Sequence, residues 1–333
     1  MMSTTKPQFV WMNGEFVEWE RAKVPILTHA LHYGTAVFEG IRAYKTDGGL
    51  CVFRLIEHMR RLKTSAHAYV IDLPYSENDL CQATTALLAK NEIHDPAYIR
   101  PIAFKAEGVL KLDYRKVPTW VAIAAFPYDK YFEKEGLDVC VSSWRKTCEP
   151  SVVSLAKASG HYINAVLGKV EAAQNGFDEA VFLDHRGFVS EGSGQNIFIV
   201  KDETVLTPPL YAGILGGITR DSVCTILRDR ELTLQERDIA RGELYACEEA
   251  FFTGTAAEIS PIISIDRRKI GEGRPGPLTR LLQKLYFEAV SGKDKRYEHW
   301  LTPVYPRTPT KAAAAAPAAV SPHKTDWTRL QGP

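Results

Sequence analysis

The sequence predicts a two-domain protein of mixed α+β and α/β character, and three observations carry that prediction. The chain has 333 residues, more than one ordinary hydrophobic core serves, and length alone suggests about two domains. Strand-like and helix-like apolar periods are mixed in both halves of the chain. A stretch at 128–136 breaks the pattern between them and reads as a linker. The expected division is a smaller N-terminal domain at 1–127, the linker, a larger C-terminal domain at 137–303 and a tail at 304–333.

The elements follow from local pattern. Residues 8–19 read as a hairpin, because Asn13-Gly14 is a two-residue turn between apolar runs. Residues 53–71 read as a helix in which Leu55, Met59, Leu62, Ala66 and Tyr69 form a buried stripe. Residues 97–103 and 120–126 are strand-like, with a polar, irregular stretch at 107–118 between them. The second half opens on a strand at 137–141. Residues 162–175 read as a helix with Ile163, Val166, Leu167, Val170 and Ala173 on one face and a stop at Gly176. Strands at 179–184 and 188–200 flank a turn at 184–187. A helix at 218–230, a strand at 250–254 and a helix at 277–288 complete the order. From about Pro303 the composition shifts to Ala, Pro, Thr and Lys, with too few large apolar groups to offset the entropy of ordering, so the tail reads as disordered.

Charge and composition exclude several classes of function. Lys+Arg total 41 against 40 Asp+Glu, a net charge of +1, and nucleic acid as a main partner calls for a clear basic excess. No apolar run approaches the ~20 residues of a membrane span, and the N-terminus has no secretory pattern. The six cysteines, with no CxxC pair, read as reduced thiols of a cytoplasmic chain. His29, His32 and His161 lack a metal-ligand spacing, so no metal is expected.

Four segments could carry chemistry. In 215–221, two glycines precede Thr219, a candidate N-cap, and a helix N-terminus suits a phosphate. In 253–258, small residues and hydroxyls follow a strand and could expose amides to an oxyanion. In 190–196, glycines within a strand suggest a bulge beside which Glu191 could face a ligand. Lys157 sits among small residues just before a helix, where a lysine in a closed pocket can attack a carbonyl. Taken singly, each also reads as an ordinary loop, cap or surface residue.

In register, however, seven stretches resemble one family: HYGTAVFEGIRAY (32–44), FRLIEHMRRL (53–62), AYIRP (97–101), KASGHY (157–162), SEGSGQNIF (190–198), GGITRD (216–221) and FTGTAAEI (252–259). The chain resembles the fold-type IV pyridoxal-phosphate enzymes, and among them the bacterial branched-chain amino-acid aminotransferases. The resemblance implies a smaller N-terminal α/β domain and a larger C-terminal domain with a barrel-like sheet. It implies pyridoxal 5'-phosphate as cofactor and a ping-pong transfer of the amino group of leucine, isoleucine or valine to 2-oxoglutarate. Lys157 matches the family's Schiff-base and acid/base lysine, Glu191 the partner of the ring nitrogen, and Tyr162 the tyrosine at the phenolic oxygen. Arg61, Gly217, Ile218, Thr219 and Thr255 match the phosphate site. Tyr33, Phe38, Gly40, Arg100, Tyr128 and Tyr131 match the substrate pocket, Arg100 being the cation for the acidic chain of glutamate, or else a structural ion pair. Thr255 and Ala256 match the turn that holds the substrate carboxylate. A homodimer at least is implied, with a hexameric assembly as the larger alternative. Gln195 departs from the glutamate common in relatives. A D-amino-acid aminotransferase or aminodeoxychorismate lyase of the same fold type shares Lys157 and Glu191; a phosphate-binding module without catalysis is the alternative of another class.

Overall fold

The computed structural model of the chain describes residues 6–128 and 132–305. Tyr131 and the tail from 306 onward lie outside the described residues. The first half runs β1 Phe9–Met12, β2 Glu15–Glu18, α1 His29–Tyr33, β3 Ala36–Phe38, β4 Ile41–Thr46, β5 Gly49–Phe53, α2 Leu55–Ala68, α3 Glu77–Lys90, β6 Ala97–Lys105 and β7 Thr119–Pro127. The second runs β8 Leu137–Arg145, α4 Tyr162–Gln174, β9 Glu179–Leu183, β10 Val189–Gly192, β11 Asn196–Lys201, β12 Thr204–Thr207, α5 Ile218–Asp229, β13 Leu234–Glu236, β14 Glu249–Gly254, β15 Glu258–Ile265, β16 Arg268–Lys269, α6 Pro277–Val290 and β17 Leu301–Pro303.

Two sheets result. The first is antiparallel, in the order β17-β5-β4-β6-β7-β1-β2 with β3 on β6. Helices α2 and α3 cover it, and Leu55, Met59, Leu62 and Ala66 meet Leu80, Leu87 and Leu88 in one core. The second sheet runs β10-β9-β8-β15-β14-β11-β12-β13 and is mixed, with parallel pairs at β8–β9, β8–β15 and β12–β13. Strands β10 and β11 are joined by residues 193–195, where the Gly192 amide donates to Gln195 O at 2.7 Å. One of the two sheets is curled into a half-barrel.

Several expectations change here. The strand expected at 188–200 is two strands, because the chain turns at Ser193-Gly194, while the irregularity expected beside Glu191 is present as a register shift of β10 against β9 between Val189 and Gly192. Helix α3 is an element that apolar periodicity did not reveal, although Ser76 and Asp79 form a capping box at its start. The apolar face of α4 points outward: Ile163 is 66% exposed and Val166 49%, while Ala165, Gly168 and Ala172 pack inward. A Cβ on Gly168 would stand 2.3 Å from Phe182 Cζ, so this helix lies too close to the sheet for its large residues to face it. The C-terminal end also differs. Residues 301–303, expected with the second domain, pair with β5 of the first sheet. Val304 and Tyr305, expected in the tail, are packed: the Val304 amide donates to Leu50 O at 2.9 Å and Tyr305 Oη to Ile93 O at 2.9 Å.

Candidate active site

The segment between β8 and α4 lies between the two sheets and carries Lys157. Its backbone is docked on the first half from both sides. The Lys157 amide donates to Ser65 Oγ of α2 at 3.0 Å, and the Phe38 amide donates to Lys157 O at 3.0 Å. Gly34 and Gly160 meet where a Cβ on Gly34 would approach Gly160 Cα to 2.9 Å. The side chain of Lys157 therefore emerges into the space between the halves, where Nζ donates to Tyr162 Oη at 2.7 Å and lies 5.1 Å from the Phe38 ring.

All eight residues expected at the cofactor line this one cleft: Arg61, Lys157, Tyr162, Glu191, Gly217, Ile218, Thr219 and Thr255. Helix α5 begins at Ile218 with Gly217 as its N-cap, so Thr219 is not the cap but the second helical residue. Gly217 has a steric reason: a Cβ there would stand 2.0 Å from Asn196 Oδ1. Glu191 is buried, with Oε2 accepting from Asn196 Nδ2 at 3.1 Å and the Leu215 amide at 3.0 Å. Its other oxygen, Oε1, lies 2.6 Å from Lys146 Nζ.

Arg61 has a partner that no motif assigned. Its Nε and Nη2 donate to the two oxygens of Glu39 at 2.6 and 2.7 Å, and Nη1 donates to Gly216 O at 2.9 Å. His58 Nδ1 lies 2.7 Å from Glu39 Oε2. Burial alone would push the Glu39 carboxyl up; the charge and hydrogen bonds of Arg61, then His58, override it and bring it down to about 2. A guanidinium has five N–H groups. Three are engaged among the described residues, which fixes the plane of Arg61 and leaves one edge for the cleft.

The expected substrate residues separate. Phe38 touches both sides of the site: its ring lies 5.1 Å from Lys157 Nζ and 4.9 Å from the Arg100 guanidinium. Arg100 Nη2 donates to Tyr98 Oη at 3.1 Å, and Tyr128 packs on Tyr98 with ring centroids 5.2 Å apart. Gly40 admits that hydroxyl, since a Cβ there would stand 2.1 Å from Tyr98 Oη. Tyr98 thus joins Phe38, Gly40, Arg100 and Tyr128 into one cluster, although sequence reasoning did not single it out. Among the described residues, Arg100 has no carboxylate within ion-pair distance; its described hydrogen bond is the one to Tyr98. Ala256 lines a second cleft with Phe132 and Arg280 rather than the first. Tyr33 is 44% exposed and donates to Leu110 O at 3.4 Å, away from the cleft of Lys157.

The profile of the class IV amino-transferases matches residues 36–265, and the chain belongs to that family. It is 44% identical over 310 residues to the probable branched-chain-amino-acid aminotransferase of Aquifex aeolicus, covering 92% of this chain and 99% of that protein. The branched-chain-amino-acid aminotransferase of Pseudomonas aeruginosa is 44% identical over 297 residues, covering 88% and 96%. Among solved structures, the branched-chain aminotransferase of Thermoproteus uzoniensis with norvaline superposes with a TM-score of 0.87 at 45% identity, covering 90% of this chain and 100% of that one. The branched-chain amino acid aminotransferase of Thermobaculum terrenum in its PLP form gives 0.85 at 38% identity, covering 90% and 99%. The fold is therefore that of fold-type IV aminotransferases.

Proposed function

We propose that the protein reversibly transfers the amino group of L-leucine, L-isoleucine or L-valine to 2-oxoglutarate, with pyridoxal 5'-phosphate as cofactor. The observation that carries this reading is the convergence of a lysine, a buried carboxylate and a helix N-terminus on one cleft, in a chain whose relatives bear that name. The cleft fits the cofactor. Thr253 Oγ1 is buried in its wall without a hydrogen-bond partner, a group that a ligand can satisfy. The amides at the start of α5 suit an anion. When bound, pyridoxal phosphate supplies an aldehyde that condenses with amines and a ring that accepts electrons.

The residues then take these roles. Lys157 would hold the cofactor by condensing Nζ with its aldehyde, the carbonyl oxygen leaving as water, and would carry a proton to and from the substrate carbon. Tyr162, hydrogen-bonded to Lys157 Nζ, orients the amine. Glu191 keeps the ring nitrogen protonated by its charge. Arg61, Gly217, Ile218, Thr219 and Thr255 hold the phosphate, with Glu39 fixing the plane of Arg61. Phe38, Gly40, Tyr98, Tyr128 and Tyr131 supply an apolar wall for the branched side chain. The turn at Thr255 and Ala256, where the Lys157 cleft lined by Thr255 adjoins the second cleft lined by Ala256, takes the substrate carboxylate. Arg100, at the edge of the aromatic cluster, pairs with the distal carboxylate of glutamate, which an apolar wall alone would reject. Tyr33, exposed on this chain and outside the Lys157 cleft, would serve the site of a second copy in a homodimer. The exposed apolar face of α4 gives such a partner a surface to cover. A cytoplasmic location suits six cysteines that are all free; no described helix is long and apolar enough to cross a membrane.

The test is a panel of L- and D-amino acids with 2-oxoglutarate, followed by Arg100→Met. Leucine, isoleucine and valine should be the preferred donors. Arg100→Met should lower kcat/KM for glutamate roughly thirty- to two-hundred-fold and change the leucine half-reaction less than about fivefold. A preference for D-amino acids would overturn the donor class, and equal losses for leucine and glutamate would overturn the role of Arg100.

A further inference from the structure

Glu191 uses its two oxygens differently. Oε2 is held by two neutral donors, Asn196 Nδ2 and the Leu215 amide. Asn196 is itself anchored, donating also to Leu215 O at 2.9 Å. Those bonds aim the carboxylate. Oε1 meets Lys146 Nζ at 2.6 Å, the two side chains being only 16% and 8% exposed, and both residues line the cleft. The backbone of Lys146 is held, since its amide donates to Leu183 O at 2.8 Å, and Nζ lies 5.8 Å from the Phe182 ring. No motif in the sequence pointed to it.

We propose that Lys146 is a charge-setting residue for Glu191: it shares Oε1 with the ring nitrogen of the cofactor and weakens the hold of Glu191 on that nitrogen. The proposal rests on the reading of Glu191 as the partner of the ring. A carboxylate oxygen has two lone-pair directions, so Oε1 can accept from Lys146 on one side and from a ring N–H on the other. Orientation of the carboxylate is already supplied through Oε2, and what Lys146 adds is a positive charge. Two positive groups around one oxygen repel, and in a shielded cleft water and salt screen that repulsion little. Lys146 therefore sets how firmly the ring nitrogen keeps its proton, and with it the electron demand of the cofactor. It is a positioning residue in the sense that it acts through Glu191 and not on the substrate.

A thermodynamic cycle separates this role from a structural one. Holoenzyme of the wild type and of Lys146→Met is prepared with pyridoxal phosphate and with its 1-deaza analogue, in which a C–H replaces the ring nitrogen. Equilibrium dialysis gives the four dissociation constants. Damage to the pocket weakens both ligands alike and cancels in the ratio. The wild type should favour pyridoxal phosphate over the analogue, and Lys146→Met should widen that preference by at least about threefold. A smaller change, or a narrowing, overturns the proposal while leaving Glu191 at the ring. A wild type that does not discriminate the two ligands overturns the reading of Glu191, and the proposal falls with it. Should the methionine variant not fold, Lys146→Gln, neutral and still polar, enters the same cycle with the same expected direction.

Discussion

Glu39, His58 and Arg61 form a buried charged cluster behind the cleft, and its protonation has consequences for stability. The Glu39 carboxyl lies at about 2 against an ordinary 4.5. His58 is lowered from 6.5, because burial outweighs the attraction of Glu39 and the charges of Arg61 and Lys157 add to it. Both groups bind fewer protons folded than unfolded. Their contribution is present at neutral pH and is lost as pH falls, first through His58 below 6.5 and then through Glu39 between 4.5 and about 2. Each extra proton taken up on unfolding is worth up to about 1.4 kcal/mol per pH unit. Urea midpoints measured from pH 7 to pH 5 should fall for the wild type and fall less steeply for His58→Gln, which keeps a donor toward Glu39 but does not titrate. Equal slopes would contradict the assignment. The pairing of Glu39 with Arg61 was not legible in the sequence. FEGIRAY marks Phe38 and Gly40, and nothing local says that Glu39 meets an arginine 22 residues away. Gln195 was legible only as a departure from relatives. The structure gives it a partner: Nε2 donates to the buried Glu179 Oε2 at 3.3 Å, where a second carboxylate would repel the first.

At the scale of elements, helical periodicity located α2, α4, α5 and α6 but did not say which face of α4 turns inward. A 3.6-residue period marks an apolar face, and on α4 small residues form a second one beside it. Close approach decided between them, because Gly168 sits against Phe182 and Ala165 and Ala172 flank it. Gly168→Val should force the helix off the sheet and cost about 1–3 kcal/mol, the usual range for overpacking. A lowered Tm with an unchanged leucine donor preference is the expected result; an unchanged Tm would mean the contact is not tight. Short strands such as β3 and β17 were missed for another reason. Three residues carry too little alternation to be read, and long-range pairing alone makes them strands.

For the whole molecule, the cleft exists because the chain crosses between the sheets more than once. Lys157 is pinned to α2 and β3, Arg54 of the first half pairs with Asp221 of α5 at 2.6 Å, and β17 closes on β5. The sequence showed two halves and the segments that converge, and could not show the return of the last strand. Ile163, Val166, Leu167 and Val170 form an apolar stripe that one chain leaves uncovered, and we propose that a second copy covers it. Val166→Glu should then shift the protein to monomer in size-exclusion chromatography with light scattering; a variant as large as the wild type would place the interface elsewhere.

The central claim is that Lys157 is the residue through which the protein handles amino groups. The most direct measurement is borohydride reduction of the holoenzyme followed by peptide mapping. A pyridoxyl group on the peptide containing Lys157, and its loss in Lys157→Ala together with a fall in transamination of several orders of magnitude, is the expected result. A pyridoxyl group on any other lysine, or none at all on a protein that transaminates leucine, would contradict the account.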